Sequence, residues 1–300
     1  MKTIDLRDFD EADIDDEDGF AHSCAKGNRM RTQKRAGQKR EDKVAQKHID
    51  FFCQADFDEM DESSAFDFFV GEGLISGPGT ILKQGKEACV WSCPSCAEKG
   101  HKDIAVKVYK NIKHRSFKAI AGYLQGRLFE AGINRRDSMH ILSTPSELQG
   151  FWVYSEFSVL ERLWQAGLPV PAPYAKNGVA LAMEFIYGED GEAAPRLRDA
   201  RLDRREQSAI KEMLLESIEM MLKLNIIHGD LSPYNVLVRD GKPVIIDFPQ
   251  AIDARYNSLS AATLERDLLA ICSFMPEVGI EPEAEARQIA ERLWTAYSRT

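Results

Sequence analysis

Long apolar runs are missing from this 300-residue chain: nowhere does it hold the ~20 consecutive apolar residues that a membrane-spanning helix needs. Its N-terminus is acidic where a secretory leader would be basic and then apolar, so the expected location is cytoplasmic, with no membrane partner. Cysteine is scarce. Six in 300 residues are too few for a disulfide scaffold and read as reduced thiols or metal ligands. Positive charge is in deficit, and a net charge of -9 excludes a globally basic nucleic-acid binder while leaving room for local basic patches. Glycine is thin where a phosphate loop might be sought: Ile81 to Trp91 holds Gly85 alone, too few for a P-loop or for the Gly-rich loop of ordinary protein kinases. What is present is 44% apolar residues, enough to fill the core of one bilobal domain and leave a tail.

The informative stretch runs from Ile226 to Ile252. Two short apolar runs, Val236 to Val238 and Val244 to Ile246, flank Asp240-Gly241, and Asp-Gly between apolar runs predicts a tight β-hairpin. Asp230, Asn235 and Asp247 stand at its two mouths. Phosphoryl transfer needs such a set: a carboxylate to orient the attacking hydroxyl and oxygen ligands for Mg²⁺ on the nucleotide phosphates. Asp230 is the candidate base, and Asn235 and Asp247 are the candidate metal ligands. The plainer alternative is that His228-Gly229-Asp230 is a turn and Asn235 a turn-former.

His-Gly-Asp-Leu-Ser-x-x-Asn followed by Val-Ile-Ile-Asp-x-x-Gln resembles the catalytic and metal-binding segments of the RIO family of atypical protein kinases. The resemblance implies an α+β, bilobal, protein-kinase-like fold: a small β-rich N-lobe with one main helix, and a larger, mostly helical C-lobe, truncated relative to ordinary kinases. The expected organisation is a charged tail over residues 1–64 and a kinase domain over 65–300, its lobes at about 65–182 and 187–300. Gly85-Lys86-Glu87 resembles the family's phosphate loop, whose backbone would cover the triphosphate of ATP.

Asp103 to Tyr109 alternates, putting Ile104, Val106 and Val108 on one face and Ala105, Lys107 and Tyr109 on the other. Lys107 then matches the strand lysine that grips the α- and β-phosphates in kinases, against the alternative of a lysine on a solvated sheet face. Such a cation needs an acid. The helical pattern from Pro145 to Ala166, with Val153, Phe157, Leu160 and Trp164 on one face and Gly167 as its cap, carries Glu156 and Glu161. Trp152-Val-Tyr-Ser-Glu156-Phe157 is similar to the Trp-Ala-Glu-Lys-Glu-Phe segment of RIO proteins, so Glu156 is the expected partner, although Tyr154 stands where a first Glu is usual. Val179 to Ile186 looks like the hinge, with Met183 at the pocket's rear and backbone groups of Glu184 and Ile186 meeting adenine.

Other segments carry weaker signals. Arg29 to Lys47 is dense in base and could bind rRNA or a ribosomal particle, or fold back on the acidic runs beside it. The basic stretch Ile112 to Asp137 fits the family's flexible loop, with Ser116 and Ser138 as candidate self-phosphorylation sites. Cys93-Pro-Ser-Cys96, with Cys89 and His101 nearby, has the chemistry of a structural Zn²⁺ site but no second Cys-x-x-Cys. After Asp247 there is neither Asp-Phe-Gly nor Ala-Pro-Glu, which leaves no room for an activation loop. The reading is a serine/threonine protein kinase using ATP with Mg²⁺ or Mn²⁺, its protein substrate unknown. Two alternatives are an ATPase switch in ribosome assembly, phosphorylated on Asp247, and a small-molecule phosphotransferase of the aminoglycoside or choline type.

Overall fold

The structure is a computed structural model that describes residues 62–96, 102–110, 145–255, 257 and 259–299. The acidic and basic tail with Arg29 to Lys47, the stretch containing Ser116 and Ser138, and His101 all lie outside the described residues.

The N-lobe is built on a five-stranded antiparallel sheet in the order β1-β2-β3-β5-β4. Its strands are β1 (Thr80–Gln84), β2 (Ala88–Pro94), β3 (Asp103–Tyr109), β4 (Pro173–Lys176) and β5 (Ala180–Glu184). The alternation in β3 divides its side chains between two helices. Ile104, Val106 and Val108 join Phe66 and Phe69 of α1 (Glu62–Gly71) in one apolar cluster. Tyr109, with Leu181 of β5, packs against Val153 and Phe157 of α2 (Pro145–Gln165). Helix α2 is the main helix of this lobe, and the shorter α1 packs on the other face of the sheet. Ala65, Phe66 and Phe69 form the buried side of α1.

Helix α2 departs from its expected stripe at one position: Trp164 is 48% exposed, while Leu160 and Leu163 take the buried places. Gly167, at a φ of +79°, ends the helix as its position predicts. The proline-broken segment that follows contains β4, which the sequence pattern does not announce. Pro173 lacks an N–H and sits where it harms the ladder least, on an outer strand.

The C-lobe opens with α3 (Arg204–Lys223), started by a full capping box: Glu206 N–H donates to the Asp203 carboxylate at 2.9 Å, and Asp203 N–H to that of Glu206 at 2.7 Å. Its face of Ile210, Leu214, Ile218, Met221 and Leu222 enters the large core. A two-stranded pair, β6 (Ile226–Ile227) with β9 (Ile252–Asp253), and the hairpin β7 (Val236–Arg239) with β8 (Lys242–Ile245) follow. The hairpin turns on Asp240 and Gly241 alone, at φ of +51° and +70°, the two left-handed residues that match strand twist. Helices α4 (Ser260–Phe274) and α5 (Pro282–Tyr297) complete the lobe, α5 being tied to α3 by Lys211 and Glu285 at 2.5 Å.

Candidate active site

Between the sheet and the hairpin lies a cavity of about 230 Å³. Leu82, Val90 and Ala105 line it from the sheet, Leu237 and Ile246 from the hairpin, and Met183 from β5. The hinge is drawn tight by Glu184: its N–H donates to Ala172 O at 2.8 Å, and its carboxylate accepts from Ala172 N–H at 3.1 Å and from Arg239 at 2.6 Å. Ile186 also lines the cavity and gives its carbonyl to Ala194 N–H at 2.9 Å. The Glu184 N–H is thus committed inside the protein.

At the polar end stands Lys107, 6% exposed. Its ammonium donates to both oxygens of Glu156 at 2.8 and 3.1 Å and to Asp247 Oδ1 at 2.5 Å. Three segments far apart in sequence thus meet in one charge cluster. Burial opposes the charge on Lys107, but the two carboxylates hold its pKa well above the ordinary lysine value. Burial also favours the neutral form of Asp247, and Lys107 outweighs it, leaving that carboxyl below the usual range. Glu156 differs: its own burial wins and raises it. Glu156 also accepts Phe248 N–H at 3.2 Å, and Trp152 Nε1 donates to Pro249 O at 3.2 Å, so α2 holds the Asp247-Phe248-Pro249 segment at two points. Asp247 itself has a φ of +73°, uncommon for a residue with a Cβ and typical of a held functional position.

The loop from β6 to β7 carries the other groups. Asn235 Nδ2 donates to Asp230 O at 2.9 Å and to Asp230 Oδ2 at 3.2 Å, which leaves the Asn235 Oδ1 for another partner. Asp230 is exposed, its carboxyl raised by partial desolvation and by Asp247. His228 is 1% exposed; its Nε2 donates to Ile246 O at 3.1 Å while Nδ1 accepts Asp230 N–H at 3.3 Å. Only a neutral ring with its proton on Nε2 can do both, and burial lowers its pKa to about 4. Beneath the loop Asp267 accepts Gly229 N–H at 2.8 Å and Leu231 N–H at 3.3 Å, and Arg266 donates to Gly229 O. Asp267 carries no signal in the sequence beyond an acid in a helix; its role appears only when α4 is placed.

Lys107, Glu156 and Asp247 therefore meet directly, and Asn235 meets Asp230; these last two do not line the cavity, and Asp230 is linked to the first group through the charge of Asp247. Gly85, Lys86 and Glu87 are not among the residues lining the cavity. They form a tight turn in which Gly85 N–H donates to Ala88 O at 2.9 Å and Lys110 grips Gly85 O at 2.7 Å. The lysine of this region that does face the cavity is Lys83, which the motif does not mark. The zinc expectation at Cys93 and Cys96 finds no support: Cys93 lies in the apolar cluster under α1, its thiol pushed up to about 11 by burial. Among the described residues no three His, Cys, Asp or Glu side chains assemble to hold a metal.

The family model of the RIO domain matches residues 90–289 of this chain. The RIO-type serine/threonine-protein kinase Rio1 of Haloferax volcanii is 30% identical over 219 residues, covering 72% of this chain and 69% of that protein. The protein of the same name from Methanocaldococcus jannaschii is 33% identical over 222 residues, 73% of this chain and 69% of that one. Serine/threonine-protein kinase RIO1 of Caenorhabditis elegans is 30% identical over 220 residues, and the match spans 41% of its length.

Proposed function

We propose, for a chain that belongs to the RIO domain family, the transfer of the γ-phosphoryl group of ATP to a serine or threonine hydroxyl of a protein, itself included. The observation that carries this reading is the single ammonium of Lys107 joined to both Glu156 and Asp247 at the polar end of the cavity. The adenine would lie among Leu82, Val90, Met183 and Leu237 and hydrogen-bond the hinge at the Glu184 carbonyl and the Ile186 N–H, since the Glu184 N–H and the Ile186 carbonyl are already taken. Lys107 would hold the α- and β-phosphates. Asp230 accepts the hydroxyl proton as the new oxygen–phosphorus bond forms, the bond from the γ-phosphorus to the bridging oxygen breaks, and ADP leaves.

The donor chemistry fits a hard divalent cation. Asn235 spends its Nδ2 on Asp230, which leaves Oδ1, and Asp247 pairs only Oδ1 with Lys107, which leaves Oδ2. Mg²⁺, or Mn²⁺ in its place, takes one or two such oxygens, keeps waters and neutralises phosphate charge. Cytoplasmic action is supported by four described cysteines, Cys89, Cys93, Cys96 and Cys272, none of them in a disulfide. The basic run Arg29 to Lys47 supports an arm for rRNA or a ribosomal particle.

Incubation with γ-labelled ATP and Mg²⁺ tests the reaction. Acid-stable label on serine is expected, and Asp230→Ala and Asp247→Ala should each cut its incorporation by at least about a hundredfold. Label that is hydroxylamine-labile, or that survives both substitutions, would overturn the assignment.

A further inference from the structure

Strand β1 does not run straight past the cavity. Ile81 pairs with Trp91 and Lys83 with Val90, so two steps on β1 face one on β2 and Leu82 is the inserted residue of a β-bulge. In an unbroken strand Leu82 and Lys83 would point to opposite faces. Here both line the cavity. Leu82 belongs to its apolar part, whereas Lys83 brings an ammonium into the field of Asp230 and Asp247, the two carboxylates at the reacting end.

Lys83 is half-buried and, among the described residues, its ammonium makes no hydrogen bond or ion pair. Burial lowers its pKa, the two carboxylates raise it, and Arg196 and Lys107 repel it. Arg196 lines the same cavity from the segment after the hinge. Three cations therefore converge on one cavity, and among the described residues Lys107 alone is neutralised by a contacting acid. Two cations without a contacting acid, beside carboxylate oxygens suited to a metal ion, form the complement of a metal-bound polyanion.

We propose that Lys83 is a phosphate-binding catalytic residue that grips the terminal phosphate of the nucleotide, opposite the grip of Lys107 on the inner ones. During transfer the ammonium faces the charge spread over the γ-phosphoryl oxygens, a role that needs a cation and no proton exchange.

The inference rests on the ATP reading, and the experiment separates the two. Equilibrium binding of adenosine and of Mg²⁺ with a non-hydrolysable ATP analogue is measured on the full chain, on Lys83→Ala and on Lys83→Arg. Lys83→Ala should weaken the triphosphate by about ten- to a hundredfold, leave adenosine within twofold, and be largely restored in Lys83→Arg. Unchanged triphosphate affinity in Lys83→Ala overturns the proposal, and so does an equal loss for adenosine, which would mark a structural role. If the unaltered chain takes up neither ligand, the ATP reading falls first and takes this one with it.

Discussion

His228 spans the catalytic loop and the residue before Asp247 with one ring, and the arrangement works only while that ring is uncharged. Protonation would put a second donor on Nδ1, against Asp230 N–H. The pKa of about 4 lies below the ordinary 6.5, so the stability His228 contributes is full above pH 6.5 and is lost as pH falls through 4. The depression corresponds to ~3 kcal/mol. Asp267 acts in the opposite direction: burial raises it to about 6, so its contribution is present below its ordinary value of 3.8 and lost as pH rises through 6. Comparing the protein with His228→Gln removes the Asp267 contribution, since both keep it. The stability difference between them, measured by urea unfolding, should shrink by ~3 kcal/mol between pH 7 and pH 4. A difference independent of pH would mean that His228 is not held neutral.

The loop between β6 and β7 explains a gap in the kinase pattern, the Gly229 that stands where ordinary kinases place an arginine. At Gly229 the φ is +81°, and a Cβ built there would stand 2.2 Å from Gln250 O. The β9 approach and the β6 loop are packed so closely that no side chain fits, and the guanidinium that meets this loop comes instead from Arg266 on α4. Gly229→Ala should therefore cost at least ~2 kcal/mol of unfolding free energy, from strain and from displaced backbone. Denaturant titration measures it; a cost under ~0.5 kcal/mol would show that the loop can open without penalty. The same close packing reaches α2, where Trp152 and Glu156 hold Pro249 and Phe248. In ordinary kinases phosphorylation of a long loop brings that helix and metal segment together. Here the contacts are already made by two side chains.

At the scale of the molecule, the two lobes share one charged joint. Lys107 comes from the sheet, Glu156 from α2 and Asp247 from the end of the hairpin, so removing the ammonium leaves two carboxylates facing each other. Lys107→Ala should lose ~3 kcal/mol or more, because an uncompensated buried charge is costlier than a missing contact. Ligand linkage gives a sharper readout. Mg²⁺ with ATP at a hundred times its Kd should stabilise the unaltered protein by ~2.7 kcal/mol, and Lys107→Ala should show no such gain. Thermal unfolding with and without nucleotide checks both, and equal gains in the two proteins would remove Lys107 from the nucleotide site.

What could be read along the chain was whatever local chemistry decides. The Asp240-Gly241 turn, the Asp203 to Glu206 capping box, the alternation of β3 and the spacing of Asp230 from Asn235 each depend on residues within a few positions of one another, and each was legible. Resemblance supplied Glu156, which periodicity alone left level with Glu161. Contacts between distant segments had no such signature. Asp267 beneath Gly229, Trp152 on Pro249, and the bulge that turns Lys83 rather than Lys86 toward the cavity were decided only by the packing of the sheet, α2 and α4. Spacing encodes what a residue does within its own turn or strand; which distant group it faces is set by the free energy of the assembled core, to which no single stretch of sequence corresponds.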